Sequence, residues 1–127
     1  MIPPTPPPLV SILVISWNTC SLLDECIHSV YSTAEGIPVE IIVIDNGSVD
    51  GSLDMVATKY PDVVLVQNHE NVGFARANNQ AAELAHGEYL LLLNSDAQLL
   101  PQTLANFVNH AQSHPNMGAA GAQLRYP

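Results

Sequence analysis

Four polar clusters in this sequence each come directly after an apolar run: Ser16-Trp17-Asn18, Asp45-Asn46-Gly47-Ser48, the stretch QNHEN at 67–71, and Asn94-Ser95-Asp96. Carboxylates, amides and an indole read a ligand by hydrogen bonding, stacking or holding a cation. A further stretch, Gly73-Phe74-Ala75-Arg76, opens a helix. Backbone N–H groups at a helix start and a nearby guanidinium suit a diphosphate, and a glycine permits close approach. Arg76 is one of only 3 Lys+Arg set against 12 Asp+Glu, for a net charge of -9. That balance excludes an electrostatic grip on nucleic acid or on an anionic membrane surface. An anionic ligand would need help, most simply from a divalent cation.

The residues after the first apolar run exclude several chemistries. Ser16-Trp17-Asn18-Thr19-Cys20 contains neither a dinucleotide-binding glycine fingerprint nor a phosphate loop, which argues against a dehydrogenase or a P-loop NTPase. The acidic pair of a phosphoacceptor domain is missing as well. His28, His69, His86, His110 and His114 form no H-x-x-H or H-E-x-x-H pattern and read as surface residues. Cys20 and Cys26 on one helix point to different sides, which fits free thiols in a reducing compartment. No signal-peptide pattern opens the chain, and no apolar run approaches the ~18 residues of a membrane span.

The elements that would position the clusters alternate. Apolar, β-branched runs at 10–15, 39–44, 63–66 and 89–93 have the composition of strands covered on both faces. Between them lie helical patterns: one opened by a capping box at Ser21 and Asp24, a short one with Leu53, Val56 and Tyr60 inward, and one from about Gly73 with Phe74, Ala77, Ala81 and Leu84 on one face, closed by Gly87. Pro101 suits the first turn of a last helix carrying Leu104, Phe107 and Val108. A final small-residue strand is expected at about 118–124. This order predicts an α/β fold, a three-layer α/β/α Rossmann-like, mostly parallel sheet. Residues 1–9, with five prolines in the first eight, read as a Pro-rich leader, and residues 10–127 as a single domain. Ligands of such sheets bind beyond the carboxyl ends of the strands, which is where all four polar clusters fall.

The segments VSILVISWN (10–18), IIVIDNGSVDGS (41–52), NVGFARANNQA (71–81) and LLLLNSDA (90–97) resemble the donor-binding half of family-2 glycosyltransferases. These are GT-A fold enzymes, and the rhamnosyltransferase-like members of bacterial polysaccharide biosynthesis are nearest in flavour. The similarity runs from about Val10 onward and reaches only the first part of the family's catalytic domain, a truncated sheet. The resemblance implies a nucleotide-diphosphate sugar, UDP- or dTDP-linked, as donor. Asp45 would hydrogen-bond the base, with Asn46 beside it, and Ser16, Trp17 and Asn18 would line the nucleoside. Gly73 and Arg76 would meet the diphosphate. Asp96 ends the counterpart of the D-x-D motif and would bind Mg²⁺ or Mn²⁺, while Asn94 replaces that motif's first carboxylate by a neutral amide. Bland alternatives stand beside these roles: Asp45 as the cap of its own turn, Trp17 in the core, Arg76 on a solvated helical turn, and Asp96 capping the last helix.

The resemblance also implies inverting transfer to a saccharide or lipid-linked acceptor. The general base and most acceptor contacts would lie outside this stretch, so no catalytic residue is nominated and the isolated chain should bind better than it turns over. A cytoplasmic location is expected, with membrane association left open for the full-length enzyme. The competing class is a non-catalytic α/β scaffold or oligomerisation module, and an exposed sheet edge would favour a homo-oligomer.

Overall fold

The computed structural model describes residues 2–126. Strands and helices alternate: β1 (Val10–Ser16), α1 (Cys20–Thr33), β2 (Val39–Asp45), α2 (Ser52–Lys59), β3 (Val64–Gln67), α3 (Phe74–Leu84), β4 (Tyr89–Leu92) and α4 (Thr103–Ser113). Every strand pairing is parallel, in the order β3-β2-β1-β4. The chain steps outward from β1 to β3, and α3 then returns it to the other side of β1. That reversal creates a switch point between β1 and β4, the place where sheets of this class bind ligands.

Side-chain alternation along β1 explains the layers. Val10, Ile12 and Val14 face one side and pack with Leu23, Ile27 and Val30 of α1, Val56 of α2, and Leu104 and Val108 of α4. Leu13 faces the other side, where it joins Ile42 and Ile44 of β2 beneath Ala77 and Ala81 of α3. The α/β/α layering expected from the sequence is therefore present, with α3 alone on its face.

The structure departs from local expectation at several points. The capping box does not form: α1 starts at Cys20, its N-cap Thr19 makes no side-chain cap, and Asp24 bonds Lys59 and Tyr60 instead. Phe74, expected inward, is 60% exposed, because α3 lies on the sheet through its small residues. Gly87 does not close that helix, which ends at Leu84. It lies where a Cβ would come within 2.6 Å of the Ser11 backbone nitrogen, at the start of β4. Pro101 lies in a turn ahead of α4, whose N-cap is Gln102 at φ 68. No strand forms at 118–124. That stretch is mostly glycine and alanine, with little apolar side chain to repay ordering the backbone. Among the described residues the sheet therefore ends at β4, where Leu90 and Leu92 are about half exposed on the side of the sheet that α3 covers elsewhere.

Candidate functional site

The parallel register sets Ser16 of β1 beside Asp45 of β2 and Asp45 beside Gln67 of β3. Just past these ends, Asn46 N–H donates to the Ser16 carbonyl and Asn68 N–H to the Asp45 carbonyl, both at 2.8 Å. Asp45 is 1% exposed. Its Oδ1 accepts from Ser48 N–H at 2.9 Å, closing the turn. Its Oδ2 is buried without any hydrogen-bond partner. A buried acceptor left unpaired costs ~1–3 kcal/mol, more if charged, so this atom calls for a donor. The sharp turn uses Gly47 at φ 88, where an added Cβ would meet the Glu70 backbone at 3.4 Å.

The β1–α1 loop is tied to this turn. Asn18, at φ 52, donates its N–H to Ser48 Oγ and accepts from Val49 N–H through Oδ1, both at 2.8 Å. Cys20 N–H, at the start of α1, donates to Asp50 Oδ2 at 2.9 Å. Asp50 Oδ1 takes the Ser52 hydroxyl and N–H. The Ser52 hydroxyl, with help from the Cys20 N–H, holds the Asp50 carboxyl below the usual aspartate value. Ser16 is fully buried, with its hydroxyl 3.1 Å from that of Thr19. Trp17 is 56% exposed and so is not a core tryptophan.

Helix α1 also holds the end of β4. Thr19 Oγ1 donates to Ser95 Oγ at 3.0 Å, Cys26 Sγ to the Asn94 carbonyl at 3.5 Å, and Leu99 N–H to Ser29 Oγ at 2.9 Å. Burial, with the nearby Asp96 charge adding to it, pushes the Cys26 thiol up to about 12, so it remains a neutral packing group. Asn94 and Asp96 are exposed. Asp96 lies well ahead of α4 and does not cap it. Among the described residues no group of three or more His, Cys, Asp or Glu side chains is placed to hold a metal ion. One carboxylate and one amide are a donor set that fits a hard cation completing its shell with water and substrate phosphates, the habit of Mg²⁺.

On the remaining side, Gly73 at φ 89 is the N-cap of α3 and Arg76 is exposed. The two ion pairs found among the described residues, Lys59–Asp24 and His86–Glu40, leave Arg76 uncommitted. Asn46 is 3% exposed, and its side chain bonds Asn71, Gly73 and Asn68. The strand ends thus gather Ser16, Trp17, Asn18, Asp45, Asn46, Gly73, Arg76, Asn94 and Asp96 at one edge of the sheet. An open cleft of about 490 Å³ lies off to the flank of α1 and α2, lined by Asn18, Cys20, Asp50 and Met55 among others, and includes none of Asp45, Arg76 or Asp96. Sequence reasoning missed Thr19, Asp50, Asn68, Asn71 and Gln80, which hold the loops together. Only Asp50, two residues before Ser52, carried a local signal, that of a side chain closing a turn.

The profile of Glycosyl transferase family 2 matches residues 11–127. The chain belongs to this family. It is 33% identical over 110 residues to a poly(ribitol-phosphate) beta-glucosyltransferase of Bacillus spizizenii, covering 83% of this chain and 17% of that protein. An N-acetylglucosaminyl-diphospho-decaprenol L-rhamnosyltransferase of Mycobacterium tuberculosis is 30% identical over 107 residues, with coverage of 76% and 35%. Among solved structures, a mannosyltransferase of Pyrobaculum calidifontis in complex with GDP-Man and Mn²⁺ superposes with a TM-score of 0.73 at 32% identity, covering 84% of this chain and 33% of that one. S. aureus TarS (1–349) shares the fold, with a TM-score of 0.74 at 24% identity and coverage of 84% and 33%. This family-2 chain thus spans about a third or less of the length of these relatives.

Proposed function

We propose that this family-2 chain is the nucleotide-sugar-binding portion of an inverting glycosyltransferase. The observation that carries the reading is the buried, unpartnered Oδ2 of Asp45 at the end of β2. A carboxylate accepting from a ring N–H discriminates strongly, because the wrong base leaves a buried charge unpaired. Trp17, exposed at the loop, lines the nucleoside, while buried Ser16 supports that loop through Thr19 and Asn18 ties it to the turn after Asp45. Gly73, Arg76 and the first turn of α3 face the diphosphate. Asp96, with the Asn94 amide beside it, would hold Mg²⁺ or Mn²⁺. When bound, such a cation neutralises the diphosphate of the leaving nucleotide. The mannosyltransferase solved with GDP-Man and Mn²⁺ supports both the ligand class and the cation.

In the complete enzyme an acceptor hydroxyl of a saccharide or lipid-linked sugar attacks the anomeric carbon as the nucleoside diphosphate departs. No residue of this stretch is assigned as the base for that step, and the chain alone should bind donor better than it turns it over. A cytoplasmic setting suits a nucleotide-sugar donor. The test is calorimetric titration of UDP and dTDP with and without Mn²⁺. Binding is expected for one of them, strengthened by the metal. Asp45→Ala, Arg76→Ala and Asp96→Ala should each weaken it roughly tenfold or more, the scale of a hydrogen bond to a charged group, with Asp96→Ala removing the metal dependence. Unchanged affinity in all three folded variants sinks the reading.

One observation favours a second reading, an oligomerisation module: the outer edge of β4 is unpaired and Leu90 and Leu92 stand exposed beside it. Light scattering across a concentration series separates the two, since that module would self-associate irrespective of nucleotide.

A further inference from the structure

The polar groups between the ends of β2 and β3 form one directed chain of amides. Gln80 on α3 and Asn68 after β3 bond each other reciprocally, Asn68 Nδ2 to Gln80 Oε1 at 2.8 Å and Gln80 Nε2 to Asn68 Oδ1 at 3.0 Å. The second Asn68 proton goes to Asn46 Oδ1 at 3.0 Å. Asn46 in turn donates both of its Nδ2 protons, to Asn71 Oδ1 at 3.2 Å and to the Gly73 carbonyl at 3.4 Å. Asn71 Oδ1 also accepts from Gly73 N–H at 2.9 Å. Gln80, Asn68 and Asn46 each donate with nitrogen and accept with oxygen, and Asn71 accepts twice with its oxygen, without a clash of like groups along the chain.

The end of this relay is a special piece of backbone. Gly73 has φ 89 and ψ 167, a region essentially closed to side chains with a Cβ. Its carbonyl takes the first helical bond of α3, from Ala77 N–H at 3.3 Å, so Asn46 bonds the same oxygen that starts the helix. Arg76 is the third residue of that helix. The N–H groups of the first helical turn have no partners within the helix, and their direction is set by the turn at Gly73. Asn46 has no amide proton left to offer a ligand, although it directly follows Asp45.

We propose that Asn46 is a positioning residue: through Asn71 and Gly73 it fixes the first turn of α3 and Arg76 against the diphosphate of the bound nucleotide. The proposal rests on the nucleotide-binding reading above, yet the relay can be tested without any ligand. Removing Asn46 frees the Gly73 turn, so the loss falls on the diphosphate end of a ligand and spares the nucleoside end.

The experiment compares the chain with Asn46→Ala, Asn71→Ala and the double variant, by hydrogen exchange and by titration of UDP and uridine. Asn71 is exposed, so its variant keeps the test alive if Asn46→Ala fails to fold. Exchange at Gly73 and Ala77 should rise roughly tenfold in each single variant, the scale of one hydrogen bond, and exchange in β1 and β2 should not change. UDP affinity should fall roughly tenfold and uridine affinity should hold, with the double variant little worse than Asn46→Ala, because both act through one turn. Unchanged exchange at Gly73 and Ala77 overturns the relay. Raised exchange with an equal loss for UDP and uridine, or with additive losses, overturns the positioning role. If the unmodified chain binds neither ligand, it is the functional reading that falls, and the exchange result still decides the relay.

Discussion

The two ends of the sheet use similar residues to opposite effect. At the amino end, Ser11 is fully buried, donates to Glu40 Oε1 and accepts from Gly87 N–H at 2.8 Å. Glu40 also takes the backbone N–H and ring of His86. That carboxylate, hydroxyl and imidazole are closed on one another. At the carboxyl end, Asp45 is more deeply buried than Glu40, and among the described residues one of its oxygens has no partner and Arg76 makes no ion pair. A chain that can satisfy a carboxylate at one end of its sheet shows what structural polar groups look like here, and the carboxyl end departs from that pattern. On the nucleotide-binding reading proposed above, that difference is the one expected between residues that hold the fold and residues kept for a ligand.

The sharpest way to break the comparison is at Gly87. Its added Cβ would lie 2.6 Å from the Ser11 backbone nitrogen and 2.9 Å from the Val10 carbonyl carbon. Backbone cannot swing aside as a flexible side chain can, so β4 would have to shift relative to β1. Gly87→Ala should cost about 3 kcal/mol of stability, the upper end of overpacking losses, measured by urea unfolding. Nucleotide affinity per folded molecule should not change. Asp45→Asn should do the reverse. The variant keeps an oxygen for Ser48 N–H and replaces an unpaired carboxylate by a neutral amide, which is cheaper to bury. Stability should rise by about 1 kcal/mol while UDP binding weakens roughly tenfold. Marked destabilisation would put Asp45 in the same class as Glu40, and the contrast between the two ends would disappear.

β1 and β2 were readable because they are buried on both faces: VSILVI and VEIIVI are continuous apolar runs ended by polar residues at one edge of the sheet, whereas β3 and β4 leave part of their side chains exposed. The placement of Asp45 at the end of β2 and of Asp96 beyond β4 was readable in the same way, as carboxylates that follow such runs. The side-chain bonds between loops were not. Cys20 N–H meets Asp50 across 30 residues, and Thr19 meets Ser95 across 76, and no local pattern encodes a partner chosen by the parallel register. The capping box failed on the same ground. Ser21 and Asp24 have the right spacing, but Lys59 and Tyr60, brought in by α2, compete for Asp24 and win. The Lys59 ammonium first, and then the Tyr60 hydroxyl, hold that carboxyl below its usual value. Phe74 misled because helical periodicity says which residues share a face but not how far along the sheet that face is covered.

The smallest effect sharpens the comparison from the closed end. Burial pushes the Glu40 carboxyl up, but the Ser11 hydroxyl, the His86 backbone N–H and the His86 ring together outweigh it and leave Glu40 below its ordinary value. A folded-state value below the unfolded one means that the bound proton favours the unfolded chain. The stabilisation is therefore fully present above the ordinary glutamate value of ~4.3 and is lost as the pH falls through the lower folded value. Glu40→Gln keeps the shape and removes the charge. It should lower stability at neutral pH by under about 1 kcal/mol, given how much solvent screens this pair, and the gap should close as the pH falls below the ordinary glutamate value. Urea unfolding of both chains across that range measures it, and acid effects common to the other carboxylates cancel in the difference. A gap that is independent of pH would mean that Glu40 acts by packing alone. A change in UDP affinity on the same substitution would mean that the two ends of the sheet are coupled rather than divided in labour.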